Sequence, residues 1–161
     1  MTKDGNVVIC DLGISKLQEV ATTQRNTYKI EFAGYNNPNF QGRYAYMAPE
    51  LKDNGQLQSY TIQTDLYSLG LVIASIIIGK APSYSKEPLG HFAPGDIILL
   101  KNHIPQYVAY FWCVQTESSE RPTCVDDILN VLNQTFKTIE HALNFIESIK
   151  QTRLYDSNLK M

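Results

Sequence analysis

Asp11 is preceded by the β-type run Val7-Val8-Ile9-Cys10 and followed by Leu12-Gly13. A carboxylate at a strand end, backed by glycine, is a common way to present an oxygen ligand to a divalent cation. Taken alone, such a tripeptide is an ordinary turn, so its chemistry depends on what stands further along. Three blocks do so: Gly42-Arg43-Tyr44-Ala45-Tyr46-Met47-Ala48-Pro49-Glu50, then Thr64-Asp65-Leu66-Tyr67-Ser68-Leu69-Gly70, then Glu120-Arg121-Pro122-Thr123. Each pairs charged residues with turn formers or a helix start, the arrangement that places a charge at a fixed point. His91, His103 and His141 stand apart from one another and read as surface or packing residues. Cys10, Cys113 and Cys124 lack metal-ligand or disulfide spacing and read as free thiols of a reducing compartment.

These residues need elements to hold them. The 161 residues, 43% hydrophobic and 19% charged with a formal net charge of −2, suit one soluble domain with a real core. The charge balance gives no basic patch for a nucleic acid. The longest apolar stretch, Leu66 to Ile78, is too short for a membrane span of ~20 residues and reads as a core helix. No signal-peptide core follows Met1, which points to the cytoplasm. Residues 14 to 47 show no sustained period and read as a long loop, and residues 80 to 95, rich in proline and glycine, as another. Helices are expected over Asp96 to Asn102 and from Pro105 to Val114. A last long helix opens at Thr123, with Asp126 as its capping-box partner. Leu129, Leu132, Phe136, Ile139, Leu143 and Ile146 form a heptad-like seam along it, and the tail frays from Gln151.

The four blocks, in this order, resemble the eukaryotic protein-kinase family, with a flavour most like its tyrosine-kinase-like group. Asp11-Leu12-Gly13 resembles the D-F-G motif, the loop after it the activation loop, and Ala48-Pro49-Glu50 the A-P-E motif. Asp65-Leu66-Tyr67-Ser68-Leu69-Gly70 resembles the start of the central helix of the large lobe. The resemblance implies a mainly α-helical, kinase-like large lobe with a short β segment at its N-terminus and no small lobe. It divides the chain into a partial kinase domain over 1–136 and a C-terminal helical extension and tail over 137–161. It implies that Asp11 holds the Mg²⁺ of Mg-ATP, with Gly13 supporting its turn, and that Glu50 pairs with Arg121. It implies that Asp65 holds the catalytic-loop backbone, and makes Thr22, Thr23, Thr27 and Tyr28 candidate activation-loop phosphosites.

The sequence also departs from the family. It contains no Gly-x-Gly-x-x-Gly loop, no strand lysine paired to a helix glutamate and no His-Arg-Asp catalytic loop. No catalytic set is complete, so the chain alone is expected to be inactive and to bind Mg²⁺ and ATP weakly at best. It reads either as part of a longer enzyme acting on protein hydroxyls or as a non-catalytic, pseudokinase-type interaction module. Whether Met1 is a true start stays open, as does serine/threonine versus tyrosine specificity. The helix that covers the central helix in the family is missing here, so one face of Leu66 to Ile78 is expected to be exposed and prone to self-association. The seam of the last helix either folds back on the lobe or, from Ile139 to Ile146, binds a partner helix.

Overall fold

The computed structural model describes residues 45–51, 61–83, 85 and 90–158. Asp11, Gly13, Thr22, Thr23, Thr27, Tyr28 and the expected β segment lie outside the described residues. The described part contains five α-helices and no strand: α1 (Ile62–Ile78), α2 (Pro94–Lys101), α3 (Ile104–Cys113), α4 (Val125–Leu132) and α5 (Ile139–Asn158). Single 3-10 turns lie at Pro49–Leu51 and Ser118–Glu120.

The central helix α1 starts after Thr61, whose carbonyl accepts from both the amide (3.1 Å) and the hydroxyl (2.7 Å) of Thr64. It stops at Gly79, which adopts φ +75° and donates its amide to the Ser75 carbonyl at 2.8 Å. Only glycine takes that left-handed conformation without strain. α1 packs against α3, with Leu66, Leu71 and Ala74 meeting a core that includes Val108, Ala109, Tyr110 and Cys113. Burial pushes the Cys113 thiol up to about 12, against a weaker downward pull from Arg121, so Cys113 is a packing residue. α2 begins two residues earlier than its sequence pattern indicates. Pro94, read as loop, occupies the first helical turn, where its missing amide leaves no bond unmade.

The apolar seam after Thr123 is not one helix. α4 ends at Leu132, and α5 begins after Thr138, whose hydroxyl accepts the His141 amide at 3.1 Å. This is an N-cap in the middle of the expected seam. The six intervening residues (133–138) reset the helical phase. Leu129 and Leu143, expected on the buried stripe, are exposed, while Ile128, Val131, Ala142 and Ile146 are buried. Phe136 sits at the corner with its ring 5.6 Å from that of Phe145. α5 folds back to pack on α3 and α4, and it stays helical to Asn158 instead of fraying from Gln151.

The turn that leads into α4 is held by Asp127, one residue beyond the expected Asp126. Its Oδ2 accepts the amide (3.1 Å) and the hydroxyl (3.0 Å) of Thr123. Its Oδ1 accepts Nε (2.9 Å) and Nη2 (2.6 Å) of Arg153 on α5. Burial opposes the charge, but the Arg153 and Thr123 hydrogen bonds outweigh it and hold the carboxyl below its ordinary value. A carboxyl depressed in the folded state stabilises above its unfolded pKa of about 3.9, and that contribution is lost as pH falls through the lower folded value. The stability of the parent chain is therefore expected to drop more steeply below about pH 4 than that of Asp127→Asn. Denaturant midpoints measured down the acid limb check this; parallel curves would refute it.

Candidate functional site

The site is built around Arg121, in the turn between α3 and α4. Its side chain is 0% exposed, and all five of its N–H groups have acceptors. Nη1 and Nη2 fork onto Glu50 Oε1 (2.6 Å) and Oε2 (2.8 Å). Nε donates to the Gln115 carbonyl (2.8 Å), Nη2 to the Thr116 carbonyl (3.0 Å) and Nη1 to the Gln63 carbonyl (3.2 Å). A planar fork is the geometry that binds a carboxylate with two parallel hydrogen bonds. It thereby joins the Tyr46–Glu50 motif, the start of α1 and the turn after α3.

The Tyr46–Glu50 motif is docked on α1 independently of that ion pair. Ser68 donates its hydroxyl to the Tyr46 carbonyl at 2.9 Å. Ala48 is fully buried, and the Leu51 amide closes a turn on the Ala48 carbonyl at 3.1 Å. Gly70, next along α1, lies where a Cβ would overlap the Cβ of Cys113, so α1 and α3 approach closely just beneath the motif.

Behind Arg121 lies a second layer. The guanidinium stacks over the Tyr67 ring at 4.9 Å from its centroid. The Tyr67 hydroxyl meets His91 Nε2 at 2.8 Å, and His91 Nδ1 meets the Ser83 carbonyl at 3.0 Å. Because a carbonyl only accepts, His91 Nδ1 carries a proton and donates it to Ser83. His91 is thus a buried packing histidine, as its isolation in the sequence indicates, and it also orients Tyr67 under Arg121. Nothing in the spacing of the sequence connects Ser83, His91 and Tyr67, since the link is made only when the loop after α1 folds back.

Of the expected site residues, the structure brings Glu50 and Arg121 together in a bonded pair. Asp65 is exposed on α1, with no hydrogen bond to its side chain among the described residues. Two and three turns further along that face, Val72 is also exposed and Ile76 is 73% exposed, so α1 carries an uncovered apolar stripe. Among the described residues no three His, Cys, Asp or Glu side chains are grouped so as to hold a metal ion. No helix among them is long and apolar enough to cross a membrane.

The sequence model of the family described as protein kinase domain matches residues 1–144. Among curated proteins, the chain is 34% identical to cysteine-rich receptor-like protein kinase 10 of Arabidopsis thaliana, over 82% of this chain and 21% of the relative. It is 29% identical to cysteine-rich receptor-like protein kinase 25 of the same plant, over 81% and 20%. To a MAP kinase kinase of Saccharomyces cerevisiae it is 28% identical, over 76% and 24%. The chain thus spans about a fifth to a quarter of the length of these relatives. No solved structure gives a significant match.

Proposed function

Because this chain belongs to the protein kinase domain family, we propose that it forms the helical lobe of a domain that transfers the γ-phosphate of ATP to a protein hydroxyl, and that the lobe alone does not perform the transfer. The observation that carries this reading is the Glu50–Arg121 fork, which fixes the end of the segment that begins at Asp11-Leu12-Gly13. Phosphoryl transfer in this family is positioning plus electrostatic stabilisation. A segment whose far end is pinned to the helical core can present a substrate hydroxyl at a fixed place.

Asp11 would hold Mg²⁺, and Mg²⁺ bound there supplies charge neutralisation on the phosphates. The residues that would clamp ATP and accept the hydroxyl proton are not among the 161. Each absent preorganised group removes roughly 10²–10³ in rate, and at least three are absent. The free thiols Cys113 and Cys124 suit a cytoplasmic setting.

A second reading, a non-catalytic interaction module, is favoured by the Val72–Ile76 stripe. The test is phosphate transfer from radiolabelled Mg-ATP to a generic protein acceptor. It is run on the 161-residue chain and on a version extended by whatever coding sequence lies upstream. The 161-residue chain is expected to match its Asp11→Ala variant at background, and the extended chain to incorporate phosphate only with Asp11 intact. Transfer by the short chain would overturn its inactivity, and silence of the extended chain would leave the interaction module.

A further inference from the structure

The family match ends at residue 144, yet α5 runs on to Asn158, and its last turns grip the segment that carries Arg121 at both ends. At one end, Lys150 Nζ lies 3.3 Å from Glu120 Oε2, immediately before Arg121. At the other, Arg153 donates Nε and Nη2 to Asp127 Oδ1 and Nη2 to Cys124 Sγ at 2.9 Å. Asp127 is 1% exposed, and its other oxygen holds the Thr123 turn. Pro122 is fully buried between the two grips. Arg153 provides two of the four hydrogen bonds that satisfy this buried carboxylate. Losing them leaves the carboxylate with half its partners at a place covered by the half-exposed Arg153 side chain itself, so water must replace those bonds or the turn must move.

We propose that residues 147–153 of α5 form a C-terminal strap that holds the Arg121 turn in its Glu50-binding conformation, with Arg153 as the positioning residue. Arg153 acts on Glu50 at second hand, through Asp127, Thr123 and the turn. Anything that lifts the end of α5, a competing partner or a modification of its polar face, loosens the far end of the segment that Glu50 closes. The strap is built from contacts within the chain and stands whether or not the domain transfers phosphate.

Amide hydrogen exchange on the full chain tests it. In Arg153→Ala, the Glu120, Arg121 and Leu51 amides, bonded to Glu117, Ser118 and Ala48 carbonyls, are expected to exchange about tenfold faster, with the interior of α1 unchanged. Arg153→Lys keeps the charge but loses the fork, and is expected to fall between the two. Acceleration confined to residues 148–158, or spread evenly through α1, would overturn the strap. If Arg153→Ala does not fold, Arg153→Lys decides alone: faster exchange at Glu120, Arg121 and Leu51 supports it, and parent-like exchange there refutes it.

Discussion

Arg121→Met is expected to cost about 3–5 kcal/mol, the range for breaking a buried charge pair from one side. A domain stable by only 5–15 kcal/mol would then be largely unfolded under mild denaturant. The loss exceeds that of an ordinary ion pair because the guanidinium serves four groups. Methionine fills much of the volume but removes the donor from the Gln115 and Thr116 carbonyls along with the Glu50 carboxylate. Glu50 itself is 26% exposed, so water can partly solvate it, and Glu50→Gln should cost only about 1 kcal/mol. The double variant Glu50→Leu with Arg121→Met should not recover stability. Apolar replacement of both partners can be neutral for a simple pair, but here the Gln115 and Thr116 carbonyls also lose their donor. The single tryptophan gives a local probe, since Trp112 Nε1 donates to the Glu120 carbonyl at 3.0 Å beside the arginine. Denaturant curves followed by its fluorescence would refute the argument if Arg121→Met lay within about 1 kcal/mol of the parent.

The second large effect is at Gly70, where two opposing contributions can be weighed. Replacing glycine by alanine inside a helix ordinarily gains about 1 kcal/mol from reduced backbone entropy. At Gly70 the new methyl would clash with the Cys113 Cβ, with the Tyr110 carbonyl oxygen and Val114 Cγ1 each 3.4 Å away. A Cβ cannot rotate aside, so α1 and α3 must separate along their whole contact. Overpacking of this kind costs about 1–3 kcal/mol and sometimes more, which outweighs the helix gain. Gly70→Ala is therefore expected to destabilise by roughly 1–3 kcal/mol. A companion variant isolates the cause. Cys113→Ala keeps the obstructing Cβ and should give no rescue, whereas Cys113→Gly should recover part of the loss despite its own cost in α3. Rescue by Cys113→Ala, or a stabilised Gly70→Ala, would show that the close approach is not what glycine serves there.

The chemistry-bearing pair was legible in the sequence because motif order ties Glu50 to Arg121 across 71 positions, a link no local pattern can make. The core helix was legible because an apolar run bounded by Asp65 and Gly79 has few alternatives. The seam misled for a physical reason. Spacings of three and four continue from Leu132 through Phe136 to Ile139 by coincidence, while the polar run Asn133-Gln134-Thr135 and the Thr138 cap break the helix between them. Thr138 was the available signal, since a threonine before an apolar period marks an N-cap. The contacts of Arg153 with Asp127 and of His91 with Tyr67 had no such signal. They join residues that meet only after α5 and the loop beyond α1 have folded back.

The saturation of Arg121 also settles what it is unavailable for. A phosphoryl group placed on Thr22, Thr23, Thr27 or Tyr28 is a dianion seeking guanidinium donors. Arg121 has none to lend, because each of its five N–H groups is already committed to Glu50 or a backbone carbonyl. To receive a phosphate it would have to release one of them inside the core. Arg121 is therefore a rivet and not a receptor, and any phosphate-dependent ordering of the segment before Glu50 must draw its positive charge from elsewhere.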